Sequence, residues 1–192
     1  MKSFRLKFVF LLLLLTFIIN NAHAGNMKGW ASVIKDFMDI PLSQTLDYMY
    51  RNQGLVLLDV AQNYAAYSFY REQLTDSQKE NVTTVENSSN FVIRFETCKP
   101  SPIYTEKINV VQLKRSFKDD VDDFVDNFHE LVVLADENQW TRIDFGKSSK
   151  NENQIFMAWG VNSSQNNDTF VEIQINKAIH QITWQMVKNC PQ

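Results

Sequence analysis

Two cysteines, two histidines beyond residue 24 and a run of aspartates are the residues here whose types could do chemistry. Cys98 and Cys190 make an even count, which in an exported chain reads first as a disulfide. The loop it would close, about 90 residues, corresponds to roughly 4 to 5 kcal/mol in the chain-entropy model. The competing role, a thiol nucleophile, needs a histidine beside it and shelter from oxidation. His129 falls on a predicted helix beside Phe128, and His180 begins the last predicted strand, so both read as partly buried structural residues. No H-x-x-x-H, H-E-x-x-H or C-x-x-C spacing occurs, so a dedicated zinc site lacks ligands and no cofactor is expected.

The run Asp119-Asp120-Val121-Asp122-Asp123-Phe124-Val125-Asp126 invites a calcium reading. A calcium loop needs oxygens converging on a sharp turn, usually with glycine. Here there is no glycine, and Phe124 and Val125 continue a helical stripe, so the run reads as a helix start whose charge suits the dipole. Gly146-Lys147-Ser148 looks like the tail of a phosphate loop, but Thr141 stands where the leading glycine belongs. No G-x-S-x-G elbow is present. Glu72, Glu96, Asp144, Glu152 and Glu172 lie on or beside predicted strands, and no spacing singles out a catalytic pair. No catalytic residue is therefore assigned. Tyr64, Tyr67, Phe69 and Tyr70 form the densest aromatic cluster and the candidate binding surface, because Trp and Tyr dominate interface anchors.

The elements that would position these residues begin after an export signal. Lys2, Arg5 and Lys7 precede an apolar run from Phe8 to Ile19, and Ala22-His23-Ala24 supplies the small residues that signal peptidase accepts. Cleavage is expected after Ala24. The run is too short to span hydrocarbon, which takes about 20 residues. Residues 1–24 are thus a leader, and 25–192 a single domain, secreted or periplasmic, with no stable membrane insertion. Losing three basic residues takes the net charge from −3 to −6. That excludes nucleic acid and anionic membranes as partners, since both demand basic patches.

Trp30, Val33, Ile34, Phe37 and Met38 mark one helical face, and Leu42 to Asn52 predicts a second helix stopped by Gly54. Leu55–Val60 and Tyr64–Glu72 read as strands around a turn at 61–63, although spacing by four from Ala61 to Phe69 also allows one helix over 55–74. The polar stretch 75–90 reads as an exposed loop. Phe91, Ile93 and Phe95 alternate with Val92, Arg94 and Glu96, and Lys107–Arg115 continues as a strand. A central helix is expected to start at Ser116 as N-cap and to bury Val121, Phe124, Val125, Phe128, Leu131, Val132 and Ala135. Four strands follow, at 140–145, 154–160, 169–175 and 180–188, with a tight turn at 176–178. Sequons at Asn81, Asn87, Asn162 and Asn167 lie in polar loops.

The fold class that follows is α+β, a mainly antiparallel sheet with N-terminal helices and one central helix. The order helix plus four strands occurs twice, over 42–115 and 117–188. Either a duplication or a single meander accounts for it. The expected function is non-enzymatic binding of another macromolecule, a protein or an envelope component. That role suits an inhibitor, an immunity-type factor or an accessory of an envelope machine. A small secreted hydrolase using paired carboxylates and a carrier of an apolar small molecule are the alternatives. Intact-mass measurement on the exported protein should give an N-terminus at Gly25. A mass that still includes residues 1–24 would refute the cleavage.

Overall fold

The computed structural model describes residues 27–50, 55–68, 91–117, 120–148, 152–161 and 168–190. Helix α1 spans Met27–Ile34 and runs into a 3-10 turn, Lys35–Phe37; α2 is Leu42–Tyr50. Then come β1 (Val56–Ala61), β2 (Tyr64–Ser68), β3 (Phe91–Thr97) and β4 (Ile108–Ser116). Helix α3 (Val121–Glu137) precedes β5 (Thr141–Lys147), β6 (Gln154–Gly160), β7 (Thr169–Asn176) and β8 (Gln181–Lys188). The α+β architecture is as expected from the pattern.

All eight strands join one antiparallel sheet in the order β1-β2-β3-β4-β8-β7-β6-β5. Each run of four is a meander, and the two meanders meet through their last strands. The order is therefore the same read from either edge. One register row makes this concrete: Asp59, Ala66, Arg94, Gln112, Gln185, Glu172, Ala158 and Asp144 stand side by side across all eight strands. From each edge it reads aspartate, alanine, a charged residue, glutamine. Both edge strands also carry a bulge just before that aspartate. In each case the carboxylate accepts the next residue's N–H, Val60 at 2.8 Å from Asp59 and Phe145 at 2.7 Å from Asp144.

Alternation sends Ile93, Phe95, Val111, Leu113, Trp184, Met186, Ile173 and Val171 to one face, where all are buried. The described helices pack on this face and contribute Trp30, Ile34, Leu42, Met49, Leu131 and Leu134 to the same core. At about 25 cal/mol per Å² of apolar surface, this burial is the main term holding the layers together.

Residues 55–68 are two strands around a turn, as expected, and the single-helix alternative falls. The Gln62–Asn63 turn is locked by its carbonyls: Gln62 accepts from Ser101 N and Asn63 from Thr97 N. Several other local expectations are corrected. The N-cap of α3 is Asp120, whose Oδ1 accepts from Asp123 N at 2.9 Å; Ser116 instead completes β4 opposite Gln181. The buried face of α3 is Asn127, Leu131, Leu134 and Ala135, while Val121 and Val125 stay half exposed. Helix α1 causes this. Its Met27 N–H donates to Asn127 Oδ1 at 2.9 Å, and Lys28 meets Glu137 and Glu130. These contacts turn α3 toward α1. The predicted turn at 176–178 is a 3-10 turn, Lys177–Ile179, capped by Asn176 and ended by His180 at φ 42°. The leader, the loop at 75–90 and the four sequons lie outside the described residues.

Cys98 and Cys190 form the disulfide, with Cα atoms 5.6 Å apart and a sequence separation of 92. Cys98 follows β3 and Cys190 follows β8, two parallel strands flanking β4. The bridge therefore ties the two meanders together across the start of β4, where Asn109 Nδ2 donates to the Lys188 carbonyl at 3.2 Å. A Cys98→Ala, Cys190→Ala chain should lose about 4 to 5 kcal/mol in urea denaturation. A loss below about 1 kcal/mol would show that the unfolded chain gains little freedom when the bridge is absent.

Candidate functional site

Strand alternation leaves the second sheet face to the other half of the residues, and no described helix packs there. Its centre is polar and ordered. Gln112 Nε2 donates to Gln185 Oε1 at 3.1 Å across the β4–β8 seam. Gln185 Nε2 donates to Glu172 Oε2 at 3.2 Å, and Gln174 Nε2 to Glu172 Oε1 at 3.0 Å. Toward β1 a second set of contacts is built on Arg94, whose Nε donates to Glu96 Oε1 at 2.6 Å. The Arg94 guanidinium lies 4.3 Å over the ring of Tyr64, and the Tyr64 hydroxyl donates to Asp59. Toward the other edge the face becomes low and apolar. A Cβ on Gly146 would meet the Phe156 ring at 3.4 Å, and one on Gly160 would meet Ile143 at 3.5 Å.

The result is a surface of half-buried amides, carboxylates and one stacked guanidinium that brace each other. Such groups can donate and accept hydrogen bonds from rotamers already fixed, which lowers the ordering cost of binding. Glu96 and Glu172 belong to this surface, each already accepting a hydrogen bond, and Asp144 caps its bulge. Glu152 is exposed in the turn before β6, and Glu72 lies outside the described residues.

The candidate aromatic cluster is not one surface. Tyr64 lies on the helix-free face. Tyr67 is three residues on, so the period of two puts it on the opposite face, 2% exposed and edge-on to Phe95 at 6.1 Å. Phe69 and Tyr70 lie outside the described residues. His129 is exposed on α3 rather than partly buried, and the His180 ring sits 5.7 Å from Phe124. Both cysteine sulfurs are in the bridge, which removes the thiol-nucleophile reading. Among the described residues no group of three or more His, Cys, Asp or Glu converges as a metal site. Among them, too, no helix is long and apolar enough to cross a membrane. Sequence reasoning missed the glutamine and glutamate network. Its signal was the polar alternate positions of β3, β4, β7 and β8, to which no role was assigned.

Comparison with known protein families, with curated proteins and with solved structures finds no match for this chain.

Burial pushes the Tyr67 phenol up to about 12, with Thr45 pulling weakly the other way, and burial also raises Tyr48. The folded state thus favours the neutral phenol. Its contribution is complete below the unfolded value near 10 and is lost as pH rises toward 12. Urea denaturation from pH 8 to 12 should show stability falling above pH 10, with Tyr67 supplying up to about 1.4 kcal/mol per pH unit. Tyr67→Phe should flatten that fall. An unchanged slope would place Tyr67 in water.

Proposed function

We propose that this chain is an exported, non-enzymatic protein that binds another macromolecule, in the periplasm or outside the cell, through the helix-free face of its sheet. An inhibitor, an immunity-type factor or an accessory of an envelope machine would work this way. The observation that carries the reading is the pair of braced clusters on this face, Asp59, Tyr64, Arg94 and Glu96 on one side and Gln112, Gln185, Glu172 and Gln174 on the other. A sheet face that only needs to be wet has no need of side chains linked across three strands in each cluster, whereas a recognition surface gains from them. The disulfide beside the seam suits an oxidising compartment and keeps the two halves of that face in one register. The expected net charge of −6 after leader removal argues for a protein or neutral glycan rather than a polyanion.

The two alternatives draw less from the structure. A carboxylate hydrolase needs one acid with a raised affinity for its proton and one ionised partner. Glu96 and Glu172 are instead held as hydrogen-bond acceptors, by Arg94 and by two glutamine amides. A carrier needs room between the helices and the sheet, and that layer holds Trp30, Phe37, Phe95 and Trp184.

Replacing the seam pair, Gln112→Lys with Gln185→Lys, puts two like charges at the centre of the face without touching the core. Affinity for a stoichiometric partner recovered from envelope extract should drop by at least about tenfold, while the chain still unfolds cooperatively at a melting temperature lowered by only a few degrees. Turnover of a peptidoglycan, glycan or ester substrate by the unmodified chain would overturn the non-enzymatic reading.

A further inference from the structure

The two meanders are equivalent in strand order, but the helices over them are not. In the first half α2 lies across β1, β2 and β3. In the second half α3 packs on α1 and over the central strand β8, drawn there by Asn127, Glu130 and Glu137. Among the described residues no helix makes its main packing on β5 or β6, so their helix side carries an apolar trough that the described helices leave open. On α3, Val121, Val125, Phe128 and Val132 repeat at i, i+4, i+7 and i+11, which sets them along the side turned away from α1. Val121 is 50% exposed and Val125 52%. On the same side of the sheet Met157, half-buried against the core, stands opposite Phe145 in register, and Phe145 is 61% exposed.

We infer that this trough is a docking groove for an amphipathic helix of a partner protein, carrying basic residues along one flank and acidic residues along the other. It is a separate surface from the helix-free face and does not rest on that reading. The first half shows what the architecture seats at the equivalent place: a short amphipathic helix, α2, burying Leu42 and Met49. Strand addition at the edge is the poorer fit. The bulge between Arg142 and Asp144 breaks the ladder of β5, and the Asp144 carboxylate occupies the Phe145 N–H. The rims supply the charge preference. Asp122 and Asp136 are exposed on the outward side of α3. Arg142 and Lys147 stand on the helix side of β5, opposite Trp159 and Ile155. A guest helix therefore meets acid on one side and base on the other, so its own flanks should carry the opposite signs. An uncovered apolar surface bounded by charge is the usual signature of a protein contact.

The probe is a hydrocarbon-stapled, fluorescein-labelled helix of about 18 residues, with leucines at i, i+3, i+4 and i+7, lysines on one flank and glutamates on the other. Titrated with the oxidised chain and read by anisotropy, it should bind saturably at one site. Val125→Glu and Phe145→Ser should each weaken it by about tenfold or more, as should replacing the lysine flank with glutamate. Both altered side chains are more than half exposed, and unchanged melting temperatures confirm the fold; Val121→Glu is a third variant read the same way. Gln112→Lys with Gln185→Lys should leave this binding intact, which separates failure here from failure of the helix-free face. Absence of saturation, or equal binding to the Val125→Glu chain or by the all-glutamate peptide, would overturn the proposal. So would two other outcomes: a dimer in sedimentation equilibrium that Val125→Glu dissolves, which gives the groove to a second copy, or Val125-dependent pelleting with phosphatidylglycerol vesicles.

Discussion

The pairing of β4 with β8 is the interaction on which the remainder of the molecule depends. Val110–Ser116 lies antiparallel to Gln181–Val187, and it is here that two four-stranded meanders become one sheet. Beneath the helices, Leu113 stands opposite Trp184 and Val111 opposite Met186, so buried pairs of the core sit on the seam itself. On the other face the same register sets Gln112 against Gln185. One line of backbone hydrogen bonds thus fixes both the packed interior and the polar surface. The bridge between Cys98 and Cys190 straddles the same seam, and Lys188, at its end, reaches back to Asp39 ahead of α2.

Symmetry in the sheet is broken in the helix layer, and a small number of contacts do it. Helix α1 has no counterpart ahead of the second meander. It lies over β4 and against α3, where a buried asparagine receives its first described N–H. Hydrogen bonds to buried polar groups are costly to leave unmade, so Asn127 sets the rotation of α3 more firmly than its apolar stripe does. Covering the centre of the sheet leaves its flank without a described helix. The apolar trough beside β5 is thus a consequence of how the core was closed, not a separate addition to the fold.

What could be read from the sequence follows the strength of each local signal. β6 has the bounds that its pattern predicts, and Phe91, Ile93 and Phe95 share a buried face as their alternation requires. The disulfide needed only an even count and an oxidising address. Helix α3 was harder because its pattern is degenerate. Val121, Val125 and Val132 form one apolar stripe and Leu131, Leu134 and Ala135 another, and only the position of α1 decides between them. The aromatic cluster failed for a different reason: Tyr64 and Tyr67 look adjacent in a list, yet an odd spacing in a strand sends them to opposite faces. The glutamine network was invisible because it depends on register between strands more than 70 residues apart, which no window along the chain contains.

The two bulged edges bear on a different question, that of how the sheet ends. Strands that finish a sheet offer unpaired backbone to any neighbour, and a sheet with matching ends could in principle add copies of itself without limit. Asp59 and Asp144 each place a carboxylate over the next N–H and kink the strand at that point. Each end is closed by the same local device. With both ends closed in this way, the sheet favours discrete particles over growing fibrils.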